Sequence, residues 1–211
     1  MSGPVIGFDL DLTLVDTRPG IATTYRMLAV ETGVPIDYEA AASRLGPPLS
    51  VEMNRWFPPE RVPAMSDRYR ELYPDHAVAP SPAVAGAIEA VDAVRAAGGQ
   101  VLVISAKYAA HVQLHLDHVG IVADHVIGWA FGDGKRDALR EYGAWAYVGD
   151  FSADMSAARD AGVFAVGVTT GFTTADELRA AGADVVLDGL GDFPALLPSL
   201  LAMEPREGSF P

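Results

Sequence analysis

The chain has 211 residues, half of them apolar, so it can bury a substantial core as one domain or as one domain with an insertion. It contains no cysteine, which excludes a thiolate nucleophile, a cysteine-ligated metal or iron-sulfur site and a disulfide scaffold. Fifteen basic against 28 acidic residues leave a net charge of −13, which disfavours nucleic acid and anionic membranes as partners. We see no secretory signal and no apolar run long enough to cross a bilayer, and we expect a cytoplasmic location.

The first predicted element is a buried strand over residues 5–14, an apolar run whose polar residues come at its end. Asp9 and Asp11 are two positions apart, so both carboxylates should point to one side at the carboxyl end of the strand. Two neighbouring carboxylates repel each other and lose hydration there, unless a cation or an acid–base role compensates. The alternative is that the two aspartates simply begin a turn.

The next block, residues 15–79, contains helical patterns but no convincing strand. A helix is predicted from Arg18 to Thr32, with Gly33 as its stop signal. Proline and glycine clusters then divide the chain into short helices up to about His76. This block therefore reads as a small helical insertion after the first strand.

From Ser81 the pattern alternates between helices and short apolar strands. Strands are predicted at 101–104, 125–128, 144–148 and 164–168. Helices are predicted at 83–97, 109–119, 135–142, 174–181 and 192–202, with a further helix that follows the segment 149–154 and ends at Ala161. Such an alternation indicates an α/β fold with a parallel sheet that is covered by helices on both faces.

Polar residues collect where these strands end. Parallel strands all end at the same edge of the sheet, so residues far apart in the sequence meet there. The residues in question are Asp9, Asp11, Ser105, Lys107, Asp150 and Asp154, with Lys135 entering from the loop before its helix. Carboxylates that could share Mg²⁺, a hydroxyl and one or two ammonium groups are what phosphoryl transfer through a covalent aspartate requires.

The two lysines of this set, Lys107 and Lys135, are the only lysines among 15 basic residues. A chain that otherwise uses arginine could need a compact ammonium group at one or both positions. An arginine-biased composition with two accidental lysines is the other explanation.

Four segments in this order resemble the motifs of the haloacid dehalogenase superfamily. They are residues 9–13 (DLDLT), Ser105, Lys135 and residues 149–154 (GDFSAD). Residues 157–162 and 168–172, and the insertion directly after the first motif, are similar to the phosphoglycolate-phosphatase-like branch. The resemblance covers nearly the whole chain.

The resemblance implies a Rossmann-like, doubly wound parallel sheet as the core, made of residues 1–14 and 80–211, with residues 15–79 as a helical cap domain. It also implies a Mg²⁺-dependent phosphatase that acts on a small phosphorylated metabolite, with phosphoglycolate as the default substrate, through an aspartyl phosphate. A sugar-phosphate mutase of the same superfamily and a non-catalytic binding module are the alternatives. A carbon–halogen hydrolase fits less well, because it would not need the acid at Asp11.

The residue roles implied by the resemblance centre on Asp9, which would attack phosphorus. Asp11 would protonate the leaving alkoxide and then activate water. Mg²⁺ would lie among Asp9, the main-chain carbonyl of Asp11 and Asp150, with Asp154 in the outer shell or as a further ligand. Lys135 would balance charge beside Asp9.

Further residues are expected to bind substrate. Thr13, Ser105 and Ala106 would lie at the phosphoryl group, and Arg18 and Arg44 are candidates for a second anionic group, with surface solvation as their alternative. Residues 46–49 (GPPL) resemble the specificity loop of the cap.

Two positions depart from the motifs of the family, and one helical face carries three histidines. Leu12 stands where the branch usually has glycine. Lys135 is followed by Arg136 and not by the usual proline, so Lys107 is the fallback for the catalytic lysine. His111, His115 and His118 share one helical face, which could bind a metal but is expected to be solvated.

Overall fold

The computed structural model describes residues 3–203 and contains a sheet of six parallel strands. In chain order the strands are β1 (Val5–Phe8), β2 (Gln100–Ile104), β3 (His125–Ile127), β4 (Ala144–Gly149), β5 (Phe164–Val168) and β6 (Val185–Leu187). Their order across the sheet is β3-β2-β1-β4-β5-β6, so β1 is central. Phe8 at its end lies level with Val103 of β2 and Val148 of β4. The predicted α/β class with a parallel sheet is confirmed.

Helices cover both faces of this sheet. They are α5 (Ala87–Ala96), α6 (Ala109–Val119) and α10 (Phe193–Leu201) on one face, and α7 (Asp133–Glu141), α8 (Ser152–Ala161) and α9 (Ala175–Ala181) on the other. Successive side chains of a strand point to opposite faces, so Val101 and Val103 enter the first core cluster while Leu102 and Ile104 enter the second. This is the doubly wound arrangement that the helix–strand alternation predicts.

The segment between β1 and α5 forms a separate helical layer. It contains α1 (Arg18–Thr32), α2 (Tyr38–Ala42), α3 (Leu49–Met53) and α4 (Val62–His76), and a 3₁₀ turn at Pro59–Arg61. These helices bury their own cluster, which includes Leu28, Met53, Phe57 and Tyr73. The predicted helix Arg18–Thr32 is confirmed at both ends, whereas Pro74 lies inside the last turn of α4 and does not bound it. Whether this layer acts as a cap stays a prediction.

The two ends of this segment are hydrogen-bonded to each other. The Asp16 N–H donates to the Pro82 carbonyl at 2.9 Å, and the Val84 N–H donates to the Leu14 carbonyl at 3.0 Å. Between them Val15 and Ala83 form an antiparallel bridge. The chain therefore leaves and re-enters the sheet domain through one narrow connection.

The structure differs from the predicted elements at several places. The strand predicted over residues 5–14 ends at Phe8, because the chain turns after it. The helix expected from residue 83 begins at Ala87, because residues up to Ala83 pair with the chain after β1 and Gly86 adopts a φ of 84°. The strand β6 is not predicted, since three apolar residues at an edge give too short a pattern to identify.

Candidate active site

The turn after β1 places both of its aspartates at the edge of the sheet. The Asp9 N–H continues the strand pairing by donating to the Val148 carbonyl at 2.9 Å. Leu12 then has a φ of 60°, a left-handed conformation that is unusual for a non-glycine residue, and its carbonyl accepts a hydrogen bond from the Thr170 hydroxyl at 2.5 Å. The position where the related branch carries glycine is thus one where the backbone favours glycine.

The ends of the neighbouring strands complete what we call the acidic pocket. Its lining residues are Asp9, Asp11, Gly46, Ser105, Ala106, Phe131, Lys135, Asp150, Phe151 and Asp154. Ser105 directly follows β2 and Asp150 directly follows β4, while Lys135 and Asp154 occupy the first turns of α7 and α8. The pocket has only about 20 Å³ of free space, which suits a compact group.

Lys135 forms ion pairs with two of these carboxylates. Its Nζ lies 2.7 Å from Asp9 Oδ1 and 2.5 Å from Asp154 Oδ1, and the side chain is almost fully buried. Burial lowers the pKa of Lys135, but Asp154 and Asp9 outweigh it and hold that pKa well above its usual value. Burial also raises the pKa of Asp9 to about 7, opposed by Lys135 and reinforced by the charges of Asp154 and Asp11. The lysine is therefore a fixed positive charge beside Asp9.

Asp150 is held where little else fits. The Thr13 hydroxyl donates to its Oδ1 at 3.2 Å, and a Cβ added at Gly171 would lie 1.8 Å from its Oδ2. Burial, followed by the charges of Asp9 and Asp154, raises the pKa of Asp150 well above its usual value. A further cation nearby would stabilise the ionised form of such a buried carboxylate.

Oxygen atoms of Asp9, Asp150 and Asp154 all lie within 4.8 Å of one another. A set of carboxylate oxygens is the donor type that Mg²⁺ prefers. Both oxygens of Asp154 already accept hydrogen bonds, from Lys135 and from the Phe151 N–H at 3.2 Å. The three carboxylates are thus a donor set that fits Mg²⁺.

Asp11 is paired with the other lysine. Lys107 Nζ lies 2.9 Å from Asp11 Oδ1, and the Thr17 hydroxyl donates to the same oxygen. Burial would raise the pKa of Asp11, but Lys107 and Thr17 together hold it below its usual value. Both lysines of the chain therefore lie at the site, each against a different aspartate of the first motif.

A second, larger space adjoins the acidic pocket under helices α1–α4, and we call it the aromatic cavity. It measures about 340 Å³. Its lining includes Asp11, Gly46, Ala106 and Phe131, which also line the acidic pocket. The rest of its wall is Ile21, Tyr25, Ala41, Arg44, Leu45, Pro47, Pro48, Leu49, Ser50, Glu52, Tyr69, Arg70, Tyr73, Lys107, Tyr108, His111 and Trp129. The loop 46–49 thus lies at the junction of the two spaces.

The histidine face of α6 is not solvated, so that prediction is wrong for two of its three members. His111 and His115 are buried, and only His118 is exposed. The His111 ring stacks on Tyr73 of α4 at 4.6 Å, and His115 Nε2 is hydrogen-bonded to the Tyr73 hydroxyl at 2.8 Å. Burial, reinforced by Lys107, lowers the pKa of His111 to about 4 and that of His115 to about 3. Both are neutral packing partners of the helical layer.

Three residues expected to bind substrate lie elsewhere or are already paired. Thr13 is fully buried and donates to Asp150, so it orients a carboxylate and does not line either space. Arg18 pairs with Asp16 at 2.7 Å on the outer surface, because the two are only two positions apart at the start of α1. Arg44 does line the aromatic cavity, but Glu52 binds it through two hydrogen bonds. Ser105, Ala106 and Lys135 lie in the acidic pocket.

Sequence reasoning missed the partners that hold the site. Thr17 and the Tyr73–His115 pair come from segments with no motif of their own, and Gly171 lies in the segment 168–172, whose resemblance gave it no role. The one local signal for these partners is Thr17, whose hydroxyl lies six positions after Asp11 and directly before the first helix.

A model of the haloacid dehalogenase-like hydrolase family matches residues 6–159, and a second, HAD-hydrolase-like model matches residues 136–193. The chain therefore belongs to the haloacid dehalogenase-like hydrolase family, and the predicted membership is confirmed. Its assignment as a hydrolytic enzyme of the phosphatase type is supported in the same way.

The chain is similar to "Probable phosphatase IndB" of Dickeya dadantii, with 27% identity over 98% of this chain and 99% of that protein. It is also 27% identical to a phosphoglycolate phosphatase of Caulobacter vibrioides, over 97% and 95% of the two chains. A solved hydrolase of the haloacid dehalogenase-like family from Streptococcus pneumoniae superposes with a TM-score of 0.79 at 21% identity, over 95% and 99% of the two chains. That likeness supports the fold. Within residues 3–203 no helix is long and apolar enough to span a membrane.

Proposed function

We propose that this protein is a Mg²⁺-dependent phosphatase that hydrolyses a small phosphate monoester through an aspartyl phosphate on Asp9. The observation that carries the proposal is the buried contact of Asp9 with Lys135 in a pocket that also holds Asp150 and Asp154. A carboxylate there is shielded from bulk water and has positive charge and oxygen ligands beside it. Phosphatase relatives that align over nearly the full length support the same reaction.

In the first step an Asp9 oxygen forms a bond to phosphorus while the bond from phosphorus to the ester oxygen breaks. Asp11 is placed to give a proton to that leaving oxygen, because it lines both the acidic pocket and the aromatic cavity. In this conformation Lys107 and Thr17 keep Asp11 ionised, so its proton transfer requires a rearrangement of that pair. Water then attacks phosphorus and gives its proton to Asp11, which restores Asp9 and releases inorganic phosphate.

Other residues of the pocket position the phosphoryl group. Ser105 is buried in the same pocket as Asp9 and offers a hydroxyl, and Lys135 offsets the negative charge that collects around phosphorus. When bound, Mg²⁺ would be held by Asp9 and Asp150, with the Asp11 main chain and Asp154 in support, and would supply further charge neutralisation.

Residues 15–79 act as the cap in this proposal. The helical layer covers the mouth of the acidic pocket through loop 46–49, where a Cβ on Gly46 would lie 3.2 Å from the Phe151 ring. A layer with its own core and one connection to the sheet can exclude water during the reaction and select the leaving alcohol.

The test is release of inorganic phosphate from a panel of phosphate esters, with Mg²⁺ and with chelator, by the native protein and by Asp9→Asn. We expect turnover with Mg²⁺, its loss with chelator, and a loss of at least about 1,000-fold in Asp9→Asn, because the nucleophile is gone. The control is Asp133→Asn, whose exposed carboxylate begins α7 outside the pocket.

Three outcomes contradict the proposal in different ways. Turnover that survives in Asp9→Asn excludes the covalent route. Phosphate moved to another hydroxyl without release indicates a mutase. Esters that bind but do not react indicate a binding module.

A further inference from the structure

The leaving group of any ester bound with its phosphorus at Asp9 must extend into the aromatic cavity. The acidic pocket has about 20 Å³ of free space and shares Asp11, Gly46, Ala106 and Phe131 with the larger cavity. At about 340 Å³ the cavity falls within the range of roughly 300–1,000 Å³ typical of pockets that enclose sizeable organic ligands. A two-carbon acid such as glycolate would leave most of it filled with water.

The cavity wall is rich in rings that face an open space. Tyr108, Trp129 and Phe131 are 43%, 59% and 37% exposed. Tyr108 and Trp129 already contact each other, with ring centroids 5.5 Å apart. Side chains of this size usually bury their faces, so three of them around one cavity form an unfilled apolar surface.

The backbone of Trp129 gives an independent sign of function. Its φ is 58°, and Leu12 is the only other non-glycine residue with a positive φ in the described part of the chain. Hydrogen bonds from the Trp129 N–H to the Lys107 carbonyl, and from the Ala130 N–H to the Ser105 carbonyl, fix this conformation after β3, against the turn that follows β2. A glycine would adopt it without strain, whereas here a large ring is kept in it at the cavity mouth.

The charges in the wall do not favour an acidic leaving group. Among the described residues each of the three cations of the cavity has a carboxylate partner: Arg44 with Glu52, Lys107 with Asp11 and Arg70 with Asp67. Arg70 also lies on the Trp129 ring, 4.7 Å from its centroid. His111, the remaining basic residue of the wall, is neutral above about pH 4. A substrate carboxylate would therefore meet cations whose charge is already offset by a protein carboxylate.

We infer that the substrate is a phosphate monoester of a neutral alcohol that carries an aromatic ring, and that this ring packs against Trp129 and Phe131. This inference rests on the proposed phosphatase activity and specifies its substrate class. It departs from phosphoglycolate, which the Caulobacter relative is named for.

The experiment compares kcat/KM for 2-phenylethyl phosphate, ethyl phosphate and 2-phosphoglycolate with Mg²⁺. The first two release alcohols of similar acidity, so their ratio reports the contribution of the ring. We expect the phenylethyl ester to exceed the ethyl ester by at least about 10-fold, because a buried ring gains apolar contact, and phosphoglycolate to be the poorest of the three. A ratio near one, or a preference for phosphoglycolate, overturns the inference while leaving the phosphatase proposal intact.

Two variants locate the selectivity. Trp129→Ala should reduce the phenylethyl-to-ethyl ratio towards one, and Trp129→Phe should restore part of it. The control is Val122→Ala, which removes an exposed apolar side chain outside the cavity and should keep the native ratio. An unchanged ratio in Trp129→Ala contradicts the role of this ring.

A binding measurement distinguishes a failure of the proposed phosphatase activity from a failure of the proposed site for the aromatic ring. Calorimetry with the non-hydrolysable 3-phenylpropylphosphonate and propylphosphonate should show tighter binding of the phenyl compound by a similar factor. If no ester is hydrolysed but this preference is present, the phosphatase proposal fails and the ring site stands. If neither phosphonate is preferred, the ring site fails whatever the activity.

Discussion

The acidic pocket and the aromatic cavity adjoin each other but are built from different interactions. The pocket comes from the ends of three parallel strands, and its charges are buried and paired, as in the Lys135–Asp9 contact. The cavity lies between those strand ends and a separate helical layer, and exposed rings form its mouth. Sheet geometry leaves the pocket little freedom to vary, whereas the cavity wall can change with the helices. Under the proposed function, the reacting groups and the helical part of the wall around the leaving group therefore belong to different parts of the fold.

The sharpest way to test this division is Asp11, the carboxylate that lines both spaces. Asp11→Asn should lower kcat/KM for ethyl phosphate by about 10²–10⁴-fold, because kcat/KM covers the steps up to departure of the alkoxide and an alkoxide must be protonated to leave. The loss for 4-nitrophenyl phosphate should be far smaller, since its phenolate leaves without a proton. Equal losses on both esters, measured in parallel with Asp16→Asn as the control in the same turn, would contradict the acid role.

Replacing Lys135 tests whether its positive charge compensates the buried carboxylates of Asp9 and Asp154. Lys135→Met leaves Asp9 and Asp154 facing each other, and we expect the free energy of unfolding to fall by about 3 kcal/mol without metal. Added Mg²⁺ should recover more stability in this variant than in the native protein, because it replaces the missing positive charge. Denaturant unfolding with and without Mg²⁺ measures both effects. Arg136→Met removes the neighbouring exposed cation and should change the free energy of unfolding little. Similar losses of stability in the two variants would contradict the compensation of Asp9 and Asp154 by Lys135.

The histidines behind the cavity wall should make stability depend on pH. His111 and His115 have a lowered pKa in the folded protein, about 4 and about 3 against 6.5, so the unfolded chain binds more protons between those values. Their contribution is complete above pH 6.5 and decreases as the pH falls, by up to about 2.7 kcal/mol per pH unit for two protons. The groups that face them are Tyr73 and Arg70 of α4, with Lys107 and Asp11 from the strand ends.

Unfolding measured from pH 7.5 to 4.5 in His115→Gln should show a shallower decline than in the native protein. His118→Gln alters the exposed histidine of the same helix and should retain the native slope. If both variants show the same slope, the buried pair does not control this pH dependence.

The smallest expected effect concerns the strained turn at the cavity mouth. Trp129→Gly and Trp129→Ala both remove the ring, but only glycine adopts a φ of 58° freely. Trp129→Gly should therefore be more stable than Trp129→Ala by about 1 kcal/mol, measured by thermal or denaturant unfolding. Equal stabilities would mean that the turn relaxes once the ring is gone.

The pocket could be predicted from the sequence more fully than the cavity, for a physical reason. Asp9, Ser105 and Asp150 each follow an apolar run, and parallel strands must end at one edge, so their meeting needs no knowledge of side chains. The partners Lys135–Asp9 and Thr13–Asp150 are more than a hundred residues apart, and only packing decides which atoms meet.

The burial of His111 and His115 depends in the same way on Tyr73, a residue of another layer. A polar helical face gives no sign of such a partner, which is why the expectation of solvation was wrong. The edge strand β6 was missed because three residues carry too little periodicity.

The connection between the helical layer and the sheet also bears on how this scaffold can vary. Leu14, Val15 and Asp16 pair with Pro82, Ala83 and Val84, so the two chain ends of the layer stand side by side. A layer of another length or shape could be grafted between them without moving any strand. Exchanging residues 17–81 for the corresponding part of a relative is therefore a route to replace the helical part of the cavity wall as a single module, while Trp129 and Phe131 stay with the sheet domain.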